Sequence, residues 1–179
     1  GVSDRTFSRV ITLAEELDLP VHMHVHESLD EIERSLATHG MRPLERLRRL
    51  GLVGPNLIAV HAIHLTHEEI ELLANNGCSV AHCPSSNLKL ANGFAPVPGM
   101  LAKGVNIGLG TDGSASNNRL DLFQEMRMAA LIAKATSADA CTLPADRALS
   151  MATLDGARAL RLDHAIGSIE PGKFADLAA

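Results

Sequence analysis

The chain has 179 residues and a mass of 19.0 kDa; 46% of its residues are hydrophobic and 21% charged, enough for a buried core and too apolar for a disordered segment. A formal net charge of −5, with four Phe and no Tyr or Trp, leaves neither a basic footprint nor a stacking platform and excludes a nucleic-acid binder. No apolar run approaches the roughly 20 residues of a membrane span, and three cysteines make no disulfide framework, so a reduced, cytoplasmic compartment is expected.

In chain order, Asp4 to Leu19 reads as a helix, because Val10, Leu13, Ala14 and Leu17 recur at helical spacing until Pro20 stops it. Val21 to His26 alternates with period two and reads as a strand. Helices follow at Leu29 to Thr38, ended by Gly40, and at Pro43 to Leu50, opened by proline and closed by Gly51. Asn56 to His61 is a buried strand. Thr66 caps a helix through Asn75, with Glu68 and Glu69 in the first turn where the helix dipole favours negative charge. Cys78 to His82 is a strand, Pro84 to Gly93 a polar loop, Pro98 to Lys103 a short helix and Val105 to Gly110 a strand. Leu120 to Ala135 is a long helix. Thr142 to Leu160 reads as one more, with Thr142 as N-cap and Pro144 in its first turn.

Strands beginning near residues 21, 56, 78 and 105, with helices between them, imply a parallel α/β sheet. Four such units suit either an open doubly wound sheet or half of a (β/α)8 barrel. No Gly-rich G-x-G-x-x-G turn opens a helix after a strand, which weakens the dinucleotide-binding version. Polar residues gather at one end of all four strands. His24, His26 and Glu27 end the first, His61 the second and His82 the third, while Thr111 and Asp112 follow the fourth. Parallel α/β folds put their chemistry at that end.

Histidine is the commonest metal ligand and general base, and most of the nine here fall between His22 and His67. Strict alternation puts His22, His24 and His26 on one face of the first strand, with His22 and His24 as one candidate metal pair. Glu27 then points the other way and joins a site only if the chain turns as it leaves the strand. His39, His64, His67 and His164 read as helix-end, turn or exposed residues, Cys78 as a small core residue, and Arg46, Arg48 and Arg49 as a solvated face.

The segments Val21 to Glu27, Val60-His-Ala-Ile-His-Leu65, Ala81 to Leu90 and Gly108 to Asn118, with the tail Gly167 to Leu177, resemble the second half of an amidohydrolase-superfamily enzyme. The Ser-Asn-Leu-Lys-Leu run, the Thr-Asp-Gly-Ser-Ala-Ser-Asn-Asn run and Asp121 to Leu131 are most similar to the 5-methylthioadenosine/S-adenosylhomocysteine deaminases. Guanine-type deaminases and triazine chlorohydrolases share most of these residues. The resemblance implies that residues 1–140 form the last four βα units of a TIM-like hydrolase barrel. Residues 141–164 would be a helical connection, and 165–179 the start of a return strand to a small β-sandwich.

The same resemblance implies that His24 is a metal ligand from the fifth barrel strand and Glu27 an acid/base that also meets substrate. His61 would border the metal and the attacking water; Asp112 would ligate the metal, orient that water and touch substrate. His22 and His26 would not be ligands, and His82 and Asn87 would lie near the site without an assigned role. Two more ligands, an H-x-H pair, would lie upstream of residue 1, so a complete site is not expected from this chain alone. Imidazole and carboxylate donors suit one zinc ion, or iron as second choice. The expected partner is a small nucleoside, with no nucleic acid and no membrane, and a homo-oligomer is allowed.

Overall fold

The computed structural model describes residues 2–177. Four parallel strands, β1 (Val21–Val25), β2 (Leu57–His61), β3 (Ser79–His82) and β4 (Asn106–Leu109), form one sheet in the order β1-β2-β3-β4. Each strand pairs with its successor, Val25 beside His61, Val60 beside Ala81 and His82 beside Leu109, so all four run their C-terminal ends to one rim. A doubly wound sheet reverses its strand order at a switch point. This sheet does not, and the half-barrel alternative is the one it satisfies.

Between the strands lie α1 (Asp4–Leu17), α2 (Leu29–His39), α3 (Pro43–Arg49), α4 (His67–Asn75), α5 (Pro84–Lys89), α6 (Val97–Ala102) and α7 (Leu122–Ser137). Local chemistry sets their ends. The hydroxyls of Ser3 and Ser28 accept N–H bonds from the first turns of α1 and α2, and Thr66 and Glu69 make a reciprocal capping box on α4. Asp121 caps α7 by accepting from the Phe123 and Gln124 N–H groups, which moves the helix start past Leu120. Leu44, Leu57, Leu73, Met100, Ile107 and Met151 are fully buried between the sheet and these helices. The arginine run on α3 is not uniformly solvated. Arg48 and Arg49 pair with Glu45, but Arg46 bonds Asp4 and stacks 5.2 Å over the Phe7 ring, tying α3 to α1.

Three expectations need correction. Residues 84–93 are not all loop: α5 occupies Pro84–Lys89, opened by a proline whose fixed φ suits the first turn. Its polar residues Ser86 and Asn87 are buried against the strand ends, so the polarity that read as solvent exposure belongs to an inward face. The helix expected over 142–160 is two, α8 (Ala145–Ala152) and α9 (Leu154–Ala159), broken at Thr153 with φ −127 and ψ −93. Pro144, not Thr142, occupies the cap position. Residues 165–177 form turns and no strand; of their backbone groups the Phe174 N–H reaches the Ala165 carbonyl at 2.8 Å. A strand needs a neighbouring ladder, and this segment pairs with none of the four strands. Residues 178 and 179 lie outside the described residues.

The break at Thr153 lets α9 lie under β4. Asn106 Nδ2 on β4 donates to the Asp155 carbonyl and to Ser79 Oγ, both at 3.0 Å, and the buried Asp155 carboxylate faces Arg147 and Arg158 at 2.8 Å each. At the crossing, a Cβ on Gly108 would stand 2.9 Å from the Gly156 Cα, where no side chain can yield. Replacing Gly108 by Ala therefore overpacks the contact and destabilises the fold by about 1–3 kcal/mol, read as a lower urea midpoint at unchanged slope.

Candidate active site

The site is assembled where the strands end. His24 is the last outward-alternating histidine of β1, and its ring lies 5.0 Å from that of His61, centroid to centroid. His22 remains exposed and does not join. His26 leaves the alternation expected of it. Its φ is +55, and its ring turns away from the His22–His24 face to full burial, where Nε2 accepts the Leu44 N–H at 3.1 Å and Nδ1 donates to the His64 carbonyl at 3.2 Å. Burial pushes the His26 imidazole below its ordinary pKa against the pull of nearby Glu69, which keeps the neutral form this bonding needs. Glu31, in the first turn of α2, receives the N–H groups of His26 at 3.2 Å and Glu27 at 2.8 Å. That clasp holds the turn that carries Glu27 round to the side of His24.

At the end of β2, His61 and Ala62 both adopt the left-handed region, with φ of 70 and 50. Non-glycine residues there cost about 1–3 kcal/mol each and persist where surrounding structure enforces them, as happens at functional sites. The Ala62, Ile63 and His64 N–H groups bond the carbonyls of Val25 and His26 at 3.1 Å, which enforces it here. His61 is completely buried. Its Nδ1–H donates to Asn87 Oδ1 at 2.8 Å, which leaves Nε2 as a buried lone pair with no protein partner. Glu27 Oε1 lies 3.8 Å from that Nε2 and accepts from Asn92 Nδ2 at 3.1 Å.

At the end of β3, His82 is buried and, by burial first and the neighbouring His61 second, pushed down to about 4, so it is neutral at pH 7. Cys83 is buried beside it; desolvation, then the carboxylates of Asp112 and Glu125, push its thiol up to about 12. Cys78 is likewise buried and raised to about 11 by desolvation, whereas Cys141 is exposed. Native protein therefore consumes one equivalent of a thiol reagent within these residues, at Cys141, and peptide mapping finds Cys78 and Cys83 labelled only after unfolding.

After β4 comes Asp112, also left-handed with φ 59. Ser86 and Ser116 both donate to its Oδ2, at 2.6 and 2.5 Å. Burial works to raise its pKa, but the two hydroxyls, the Gly113 N–H and the nearby His61 prevail and hold it at about 2. The loop carrying Ser116 is anchored by Lys89 Nζ, which donates to the Ala115 carbonyl at 2.9 Å and Asn118 Oδ1 at 2.6 Å. Buried Glu125 of α7 joins Asn117 Nδ2 at 2.7 Å to the Ser85 N–H at 3.0 Å.

One donor atom each from His24, His61 and Asp112 lies within 4.8 Å of the others. Two imidazoles and a carboxylate suit zinc or a similar divalent ion. The unpartnered, buried Nε2 of His61 is an atom that such a site, or a water held beside its ion, would explain. The structure thus brings His24, Glu27, His61 and Asp112 together. Sequence reasoning gave no part to Ser86, Ser116, Asn92 or Glu31, and no role to Asn87. The signal for the first and last of these was the Ser-Ser-Asn run directly after the strand-end His82.

The sequence matches the Amidohydrolase family over residues 1–179. The chain belongs to the amidohydrolases. It is 48% identical over 178 residues to the 5-methylthioadenosine/S-adenosylhomocysteine deaminase of Teredinibacter turnerae, covering 99% of this chain and 40% of that relative. Among solved structures it superposes on an adenosine deaminase from Xanthomonas campestris with bound zinc at a TM-score of 0.96 and 55% identity, over 98% of this chain and 40% of the other. An atrazine chlorohydrolase from Arthrobacter aurescens complexed with zinc matches at a TM-score of 0.91 and 30% identity, over 97% of this chain and 38% of the other. This amidohydrolase chain therefore spans about 40% of the length of the curated relatives it matches. Its parallel α/β architecture is that of part of a TIM-like barrel. Among the described residues no helix is long and apolar enough to cross a membrane.

Proposed function

We propose that this amidohydrolase segment carries the acid/base group and half of the metal ligands for hydrolytic deamination of an adenine nucleoside such as 5-methylthioadenosine or S-adenosylhomocysteine. The observation that carries the reading is the convergence of His24, His61 and Asp112 donor atoms within 4.8 Å, with Glu27 Oε1 3.8 Å from His61 Nε2. The likeness to named nucleoside deaminases supports the choice of substrate. A small nucleoside is the partner this chemistry requires, and a cytoplasmic setting suits three free cysteines.

His24 and Asp112 would hold one divalent ion, zinc before iron, with two further ligands from the H-x-H pair that precedes this segment in the family. Such an ion lowers the pKa of a water molecule toward ~7. Asp112 does the orienting. Both serine hydroxyls bond Oδ2, and Asp112 would hold the attacking water and take its proton through Oδ1. Glu27 protonates the ring nitrogen next to C6 as the water oxygen bonds to C6. His61, its Nδ1–H held by Asn87, turns its Nε2 lone pair to the attacking water, and a proton taken up there places positive charge beside the charge that develops, an effect worth a few kcal/mol from a preorganised donor. The C6–N bond then breaks. Of the two protons supplied by water, one ends on the ring nitrogen and the other on the departing ammonia.

A related reading keeps these residues and changes the leaving group, as in a guanine-type deaminase or triazine hydrolase; the 0.91 TM-score likeness to an atrazine chlorohydrolase favours weighing it. A third, a barrel piece without activity, predicts no bound metal. The full-length protein is assayed with 5-methylthioadenosine, guanine and a chlorotriazine, reading ammonia and chloride. Fastest ammonia release from 5-methylthioadenosine supports the proposal, and fastest turnover of either competitor overturns it. The isolated 179-residue chain, offering His24 and Asp112 alone of four ligands, is expected to turn over none of them.

A further inference from the structure

Glu27 lies on a short turn with three rotatable side-chain bonds, and its side chain is 27% exposed, so burial alone does not fix its carboxylate. We infer that Asn92 is the positioning residue that does. This rests on the reading of Glu27 as proton carrier, and Asn92 acts through Glu27 without touching the reacting atoms. Asn92 Nδ2 donates to Glu27 Oε1 at 3.1 Å, and the same oxygen lies 3.8 Å from His61 Nε2. Oε1 is thereby fixed between an amide and an imidazole, and Oε2 is left as the oxygen that exchanges a proton with substrate.

The amide is delivered by a stiff turn. Ala91 and Gly93 on either side of Asn92 have φ of 56 and 116, and the Asn92 N–H donates to the Asn87 carbonyl at 2.9 Å. Gly93, whose φ of +116 few side chains adopt, sits in ordinary contact range of Ile63 and His64, next to the strained His61–Ala62 pair. One short segment therefore sets two site residues: Asn87 holds the His61 ring, and Asn92 holds Glu27. The contact joins residues 65 apart in sequence.

The test uses the full-length protein. Asn92→Ala is expected to lower kcat for 5-methylthioadenosine by about tenfold or more, the scale of one lost bond to a charged acceptor, with KM and the thermal midpoint little changed. Asn92→Gln, which keeps the donor on a longer arm, recovers part of the loss. Asn92→Asp, which sets a carboxylate against a carboxylate, falls below Asn92→Ala. In a Glu27→Gln background, Asn92→Ala has no further effect if Asn92 works through Glu27; losses that multiply overturn the proposal. A measurement blind to substrate separates this from the deaminase reading. The Asn92 side-chain NH2 resonance, identified by its disappearance in Asn92→Ala, shifts on Glu27→Gln. Absence of that shift overturns the Asn92 proposal even in an active deaminase. A shift in a protein that deaminates no adenine nucleoside upholds the contact and sinks the substrate reading instead.

Discussion

Glu27→Gln in the full-length enzyme is expected to cut ammonia release from 5-methylthioadenosine by about 10²–10⁴-fold, the range a positioned general acid contributes, and to leave the bound metal in place. Gln has the same shape, keeps a carbonyl oxygen for the Asn92 amide and the His61 edge, and cannot carry a proton between water and ring. Glu27 is also not one of the three residues whose donor atoms converge, so metal content is not expected to follow it. Steady-state kinetics and elemental analysis on the same sample check both halves. If the variant retains more than about a tenth of the wild-type rate, well above what loss of a general acid allows, the proton passes by another route.

Asp112→Ala is expected to lose both properties together. The carboxylate supplies a donor atom to the His24–His61–Asp112 cluster and, in the proposed reaction, the acceptor for the attacking water. Its removal also leaves Ser86 and Ser116 without the acceptor they share. Outer partners of a ligand cost about 10–100-fold in metal affinity or activity when removed. Loss of the ligand should exceed that, with turnover falling to background. Ser86→Ala and Ser116→Ala should each stay within that range and serve as the graded comparison. Competition with a chromogenic chelator gives the affinity. Asp112→Ala protein that binds metal as tightly as wild type would remove Asp112 from the ligand set. Because Glu27→Gln spares the metal and Asp112→Ala does not, the pair separates proton transfer from ligation.

Much of the frame is legible from residue order. The β1 and β2 runs, the cap at Thr66 and the stop at Gly40 are all local signals, set by neighbours within a turn or a strand pair, whereas α1 ends at Leu17 on a left-handed Asp18, before the expected stop at Pro20. Strand ends then told where His24, His61 and Asp112 would sit, because parallel strands deliver their last residues to one rim. What periodicity could not reach depends on contacts across the sheet. Period two places Glu27 on the wrong face; the left-handed turn at His26, held by Glu31 and the buried His26 ring, brings it to His61. The polar run after His82 looks like solvent-facing loop until α5 turns Ser86 toward Asp112 and Asn87 toward His61. Thr153 breaks a continuous helical pattern because Gly156 must pack against Gly108, and helix periodicity carries no record of a partner 48 residues away. Elements follow from local steric and hydrogen-bonding preferences, which each stretch of sequence carries within itself. The orientation of Glu27, the roles of Asn92 and the two serines, and the left-handed strains at His61 and Asp112 arise from contacts between distant segments, and only the packed chain brings those together.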